Sequence, residues 1–369
     1  MTWAQVDADS APVLAYFAVL GASILLVLIT WAPLHGGGQG PKRFVTLALP
    51  FAATALIVCW SEIFAFMSEV SKEKGCGPGE SPLELLHCNT PAWQEFDVFV
   101  QAYVDVTKTA VGWAASSQLL MFVLSGCTFL HLECARLGVP GYLSLAYVLV
   151  GFLGAISLSF PLLFGHLFVL ANRRASETAA PLVPKTTGTL VFCNLVAMIS
   201  VLVLPHTYES HRQTYYTWAL MIVHVILMAP CFVGRPTTIP ATHKDASRYR
   251  LLTIVLYTFL AGASMVAHIH NNLRVSLAFM SARPDASFVD LLRYIYLDPF
   301  LQSFCQCSIS FDVVFTSIAA AAYMISTSFW RGLLLGALVP VLGIAVTFPL
   351  FLALQLVDET VRSTRLHQD

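Results

Sequence analysis

Charge is the scarcest property of this sequence. Asp, Glu, Lys and Arg make up only 11% of its 369 residues, while 57% are hydrophobic, and the mean hydropathy is +0.72. Soluble domains carry about 25% charged residues, so this chain has too few to cover the surface of a soluble fold. The composition therefore predicts an all-α polytopic membrane protein. Its apolar segments are continuous and do not alternate with polar residues, which favours helices over a β-barrel.

Several motifs are also absent from the sequence. A net charge of -1 without a basic run gives no reason to expect nucleic acid as a partner. The chain has no GxxxxGK[ST] or GxGxxG loop, no HExxH or CxxC pattern, and no DDxxD-type aspartate cluster. His268 and His270 are two residues apart, which places them on different faces of a helix. We therefore predict no metal and no cofactor, with a bis-histidine haem as the alternative, and we do not expect magnesium-dependent ionisation of a prenyl diphosphate.

The apolar runs predict between seven and nine membrane spans in one transmembrane domain, residues 1–369. A span needs about 20 mostly apolar residues. By that measure the spans are 12–34, 44–66, 110–131, 142–171, 188–205, 216–233, 250–269, 303–327 and 332–357. The fourth is longer than one straight crossing needs, and an amphipathic piece in 284–302 has the character of a re-entrant segment.

The longest connection joins the second and third spans. Its polar, Gly- and Pro-rich part predicts a loop at 67–93, and apolar residues at helical spacing predict an amphipathic helix at about 94–107. Cys76 and Cys88 both lie in this loop. They either form a disulfide, which would place the loop on the lumenal side, or remain two free thiols.

Asp312 is the first candidate for chemistry, because it is the only charged residue in the run Ser303–Ser326. A charge in a membrane span is costly and usually faces the bundle interior. At helical spacing Asp312 belongs to a small, polar stripe, which we expect to be buried: Cys305, Ser308, Asp312, Thr316, Ala319 and Tyr323. A carboxyl group in a dry pocket is favoured in its protonated form and can donate a proton. The alternative is a buried acid that only hydrogen-bonds a neighbouring helix.

Glu62 is the second candidate, near the end of the second span. Its alternative is an interfacial acid that reaches the head groups. Rings close to the two acids in sequence are candidates to bind substrate, because aromatic faces stabilise cations; they are Trp60, Phe64, Phe311 and Tyr323. Glu133 is also a candidate for binding, although its spacing from Arg136 is typical of a simple helical ion pair.

The segment Ser144–Phe164 resembles a span of the small membrane-bound terpene cyclases of fungal meroterpenoid pathways, the ascofuranone and macrophorin type. The resemblance rests on Tyr147, Gly151 and the tripeptide Ala155-Ile156-Ser157 (AIS). Where that family has polar Gln and Asn around the tripeptide, this sequence has Phe152 and Pro161. The match covers about twenty residues, and beyond them only the general layout of the chain agrees.

The resemblance implies an enzyme of secondary metabolism in the endoplasmic reticulum membrane, acting as an isomerase or lyase on a lipophilic farnesylated substrate. In such enzymes a buried acid protonates an epoxide or olefin of the farnesyl chain, and the carbocation closes a ring without metal. Asp312 and Glu62 are assigned to this role from burial alone. The alternatives are a proton-coupled transporter of a small lipophilic metabolite, and a membrane protein without chemistry.

Overall fold

The computed structural model describes residues 11–31, 42–73, 97–176, 182–207 and 213–365. Cys76 and Cys88, the two candidates for a disulfide, lie outside the described residues. Most of the predicted loop at 67–93 lies outside them as well. Its first residues belong to the second helix, which continues to Glu73.

The described residues form thirteen α-helices and two short strands. The helices are α1 (Ala11–Trp31), α2 (Lys42–Glu73), α3 (Asp97–Thr107), α4 (Ala110–Arg136), α5 (Gly141–Leu149), α6 (Ile156–Ser176), α7 (Gly188–Val203), α8 (Gln213–Met228), α9 (Ala246–Ala282), α10 (Phe288–Tyr296), α11 (Phe304–Thr327), α12 (Phe329–Leu342) and α13 (Ile344–Arg365). Strands β1 (Leu182–Pro184) and β2 (Thr238–Pro240) pair antiparallel, with Val183 opposite Ile239.

Nine of the described helices are long and apolar enough to cross a membrane, so the prediction of an all-α polytopic bundle is confirmed. The chain is an integral membrane protein. Many large apolar side chains are exposed on the outside of the bundle, for example Trp218, Val255 and Leu277. Such a surface is stable only where lipid covers it. A helix, α3, also lies within the range predicted for an amphipathic helix at about 94–107.

Helix α4 is the centre of the bundle. Most of its residues are buried on all sides, because α3, α7, α9, α11 and α13 surround it. Small residues let these neighbours approach closely, and large rings fill the space between them. An example is Gly126, where an added Cβ would lie 2.5 Å from the ring of Phe160.

The predicted span 142–171 is a helical hairpin instead of one crossing. Helix α5 passes into a π-helical turn at Val150–Gly154, and Ala155 is fully extended (φ -167°, ψ 147°) before α6 begins. Arg174, near the end of α6, donates to the carbonyl oxygen of Arg136 at 2.7 Å. Because Arg136 is five residues before α5, both ends of the hairpin lie at the same end of the bundle.

The predicted span 332–357 is a hairpin as well, formed by α12 and α13. Gly343 joins the two helices at a positive φ of 80°, which favours glycine. Arg331 and Asp358 form an ion pair of 2.6 Å that closes the open end. Tyr296 and His268 donate to the carbonyl oxygens of Pro340 and Val341 at the turn. These donors satisfy backbone groups that the interrupted helix leaves free.

The amphipathic piece predicted at 284–302 is the short helix α10, followed by a 3₁₀ turn at Asp298–Phe300. Ser287 and Asp290 form a capping box at its start. The hydroxyl and backbone N–H of Ser287 donate to Asp290 and hold the pKa of this carboxyl below its usual value. Exposed Phe288 and Val289 give α10 an apolar face suited to the membrane interface.

Candidate functional site

The stripe predicted from helical spacing on α11 is buried. Each of its six residues is at most 8% exposed. The neighbouring faces carry Val314 and Ile318, which are 41% and 50% exposed. Asp312 therefore points into the protein, about 12 Å along the helix from the start of α11, as eight residues at 1.5 Å each require.

Asp312 meets the tip of the α5–α6 hairpin. The backbone N–H of Ser157 donates to Oδ1 of Asp312 at 2.7 Å, and that of Ile156 donates to Oδ2 at 3.2 Å. The Thr316 hydroxyl lies 3.5 Å from Oδ1. Ile156 and Ser157 are the first two residues of α6, so their N–H groups have no acceptor within the helix. The positive end of the helix dipole and two donors thus face the carboxyl group.

The AIS tripeptide and Asp312 are therefore parts of one site. Two sequence features that were identified independently, a membrane carboxylate and a short motif 155 residues earlier, are in hydrogen-bonding contact. Ala155 provides the extended residue that frees the first N–H groups of α6. The alternative given for Asp312, a buried acid that hydrogen-bonds a neighbouring helix, describes this geometry.

Side chains from other helices satisfy the carbonyl groups that the break exposes. The Trp60 indole N–H donates to Gly154 O at 2.8 Å, and the Ser159 hydroxyl donates to Tyr147 O at 2.6 Å. The Tyr16 hydroxyl donates to Leu153 O. The Tyr147 hydroxyl lies 2.9 Å from Nδ1 of His166 and accepts from the indole N–H of Trp31 at 3.1 Å. Side-chain hydrogen bonds thus satisfy carbonyl groups of the interrupted backbone, as a membrane-spanning bundle requires.

We expect Trp60→Phe to destabilise the hairpin tip. The variant keeps an aromatic ring but leaves the part-buried Gly154 carbonyl without its indole donor, which costs about 1 kcal/mol. Thermal unfolding of the purified protein in detergent measures the loss. Trp330→Phe is the matched control, because Trp330 is 78% exposed and should change stability by less than about 0.5 kcal/mol. Equal melting temperatures for the two variants would contradict this role.

Glu62 lies on the same seam between α2 and α11 as Asp312. Its half-buried carboxyl lies near the Cys307 thiol. One turn earlier on α2, the carbonyl oxygen of Cys59 accepts from the Ser308 hydroxyl at 2.9 Å. Cys307 and Asp312 are five residues apart, about 7.5 Å along the helix axis. The two acids thus line the same interface between α2 and α11. Glu62 lies at the height of Cys307, and Asp312 lies about 7.5 Å further along α11.

The structure does not gather the predicted aromatic residues at Asp312. Trp60 lies beside the hairpin tip. Phe64 packs against the Trp60 ring, with ring centroids 5.5 Å apart, but 53% of the Phe64 side chain is exposed. Phe311 contacts Phe300 on another face of α11. Tyr323 stacks on Phe164 at 4.4 Å, about 16 Å along α11 from Asp312.

Glu133 also lies away from Asp312. It accepts from Arg136 at 2.8 Å, the helical ion pair that its spacing indicates, at the end of α4. This end of the bundle is the one where the α5–α6 hairpin opens. Of the residues predicted to bind substrate, only Trp60 and Phe64 are thus close to the hairpin tip.

Sequence reasoning missed a phenol–imidazole pair beside the π turn. Tyr103 on α3 lies 3.1 Å from Nε2 of His224 on α8. Nδ1 of His224 lies 2.8 Å from Leu220 O, a contact in which only an N–H can serve. Nε2 is then the acceptor, and the Tyr103 hydroxyl donates to it. The His224 ring packs against Phe152 of the π turn with centroids 4.9 Å apart.

The spacing on α3 could place Tyr103 only on an apolar face, and His224 is isolated in its span. Their partnership is a tertiary contact that neither local pattern could predict. Within the described residues, no group of three or more His, Cys, Asp or Glu is arranged to hold a metal ion. No known family model, curated protein sequence or solved structure gives a significant match to the chain.

Proposed function

We propose that this chain is a membrane-bound terpene cyclase that protonates an epoxide or olefin of a farnesyl chain. The observation that carries the proposal is that the Asp312 carboxyl group accepts hydrogen bonds from the first two N–H groups of α6. These donors stabilise the negative charge that remains on the carboxyl group after it gives up a proton. Oδ2 uses one lone pair for the Ile156 N–H and keeps another that can carry the transferable proton.

The chemistry needs one proton to enter and one to leave. With an epoxide, the Asp312 proton goes to the oxygen, a C–O bond breaks, and the cation is attacked by an alkene of the same chain. The last cation then gives up a proton, which returns to the Asp312 carboxylate, so the acid is regenerated and the product is an isomer of the substrate. The ring of Trp60 is the predicted aromatic residue best placed to shelter positive charge. The protein would perform this step in secondary metabolism at the endoplasmic reticulum membrane.

One assay tests the proposal directly. Microsomes from a microbe expressing the chain are supplied with epoxyfarnesyl and farnesyl phenols, and the extracts are searched for a cyclic product of unchanged mass. We expect such an isomer with at least one of these substrates and none with microsomes from the empty host. Failure to form an isomer from any prenylated substrate would reject the cyclase function.

The role of Glu62 is tested by Glu62→Gln in the same assay. Glu62 is displaced from Asp312 by about 7.5 Å along α11. We therefore expect Glu62→Gln to reduce product formation by less than tenfold, whereas the loss of a general acid typically reduces the rate 10²–10⁴-fold. A defect as large as that of an Asp312 variant would make Glu62 a second essential acid. Full activity would instead assign the half-buried Glu62 to the membrane interface.

A proton-coupled transporter of a small lipophilic metabolite is the second candidate. It is favoured by the interrupted hairpins, because broken helices whose ends face a polar group are a recurring feature of transporter sites. In that function Asp312 would bind and release a proton as the hairpin tip moves. Liposomes containing the purified protein distinguish the two, since a transporter moves an unmodified farnesyl phenol across the bilayer in response to a pH gradient, and a cyclase converts it.

A further inference from the structure

A groove of about 240 Å³ opens between α4, the end of α7 and α9. None of its lining residues belongs to α2 or α11, the two helices whose seam holds Asp312. Its floor includes a buried hydrogen bond of 2.9 Å from the Asn271 amide to the Ser117 hydroxyl. This bond fixes α9 against α4 and gives the groove a rigid base.

One end of the groove is basic. Arg274 and His270 lie one turn apart on the exposed face of α9, and His206 joins them from the 3₁₀ turn that ends the α7 span. No carboxylate within the described ranges forms an ion pair with Arg274. A guanidinium that lines a groove together with two imidazoles offers a planar fork of donors and positive charge, an arrangement suited to binding phosphate.

The remaining walls are mostly apolar and lead away from this basic end. They come from Trp113 and Met121 on α4 and from Val201 and Leu202 on α7. Met121 lies farther from the start of α4 than Trp113 does, and Val201 lies five residues before His206, which ends the α7 span. The apolar part of the groove is therefore deeper than its basic end. The volume of the whole groove is smaller than the roughly 300–1,000 Å³ of sites for drug-sized ligands. It suits a head group and the beginning of one chain.

We propose that this groove binds a phosphate monoester attached to an apolar chain. The phosphate lies on Arg274, His270 and His206 at the membrane surface, and the chain follows Met121, Val201 and Leu202 into the bilayer. Two sources share this chemistry, a phosphatidic acid of the membrane and a prenyl monophosphate. The site is separate from Asp312 and does not depend on the proposed cyclase activity.

The test is ligand binding to the purified full-length protein, measured by native mass spectrometry. The probes are dioleoyl phosphatidic acid, dioleoyl phosphatidylcholine, farnesyl monophosphate and inorganic phosphate. We expect one of the two phosphate monoesters with a chain to bind about tenfold more tightly than phosphatidylcholine, and the tighter of the two identifies the source. Equal affinity for phosphatidylcholine, or inorganic phosphate binding as tightly as the chain-bearing esters, would overturn the proposal.

Two variants locate the bound molecule. Arg274→Gln should remove the preference for phosphate monoesters, whereas Arg248→Gln, at the far end of the same helix, should keep it. Leu202→Trp should fill the apolar part and weaken binding at least fivefold. Leu202 is 46% exposed, so this variant should fold, and an unchanged melting temperature verifies that. Wild-type affinity in either Arg274→Gln or a folded Leu202→Trp would place the ligand elsewhere and reject the groove.

Discussion

Replacing Asp312 with asparagine should abolish cyclisation while leaving a folded protein in the membrane. The amide has no proton of useful acidity, so the contribution of a general acid, about 10²–10⁴-fold in rate, is lost. The oxygen of the new amide can still accept from one of the two N–H groups of α6. The other N–H would face an NH₂ group, which costs about 1.5–3 kcal/mol of stability. Product formation and thermal unfolding are measured on the same preparation.

Ser308→Ala is the control for this variant. Ser308 lies one turn before Asp312 on the same buried stripe, and its hydroxyl donates to Cys59 O. Its loss should cost about 1 kcal/mol and leave turnover within about threefold of the wild type. A fully active Asp312→Asn would remove Asp312 from the mechanism. A dead Ser308→Ala would show that packing of the seam, and not the acid, limits activity.

Gly332→Ala should have the largest effect on stability. An added Cβ would lie 2.2 Å from the carbonyl carbon of Met324 and 2.4 Å from the backbone nitrogen of Ile325. Backbone atoms at the end of α11 cannot rotate away as a side chain can, so α12 would have to separate from α11. We expect a loss of about 3 kcal/mol or more, the upper range for overpacking.

Gly336→Ala, one turn further along α12, is the matched comparison. There the added Cβ would be 3.5 Å from Cβ of Ala321, an ordinary contact. Removing a helical glycine then gains up to about 0.5–1 kcal/mol. Thermal unfolding in detergent should therefore shift in opposite directions for the two variants. Similar melting temperatures would mean that the close approach of α11 and α12 at Gly332 is not as described.

Much of the fold was predictable from the sequence, because length and hydropathy decide which segments can cross a membrane. The burial of the Asp312 stripe was predictable too, since helical periodicity alone places those residues on one face. The hairpins were not. Ala155 interrupts its helix without a charge or proline beside it, and an apolar run gives the same signal for one long helix as for two.

The candidate site was predictable only in part, because a local pattern does not show which helices pack against each other. Spacing along one helix identified Asp312, and a short motif identified the AIS tripeptide, but only tertiary packing shows that they touch. Nearness in sequence misplaced Tyr323 and Phe311, because residues on one helix can be about 16 Å apart or on different faces. Tyr103 and His224 come from separate helices and share no local pattern.

The cyclase activity and the role of Asp312 are tested together with purified protein in lipid nanodiscs. Because nanodiscs enclose no compartment, transport cannot be mistaken for chemical conversion. Wild-type and Asp312→Asn nanodiscs receive epoxyfarnesyl and farnesyl phenols, and the substrates and products are separated by chromatography with mass detection. We expect a cyclic isomer of unchanged mass from the wild type and at least a hundredfold less of it from Asp312→Asn. Recovery of every substrate unchanged from the wild type, or equal product from both proteins, would contradict this proposal.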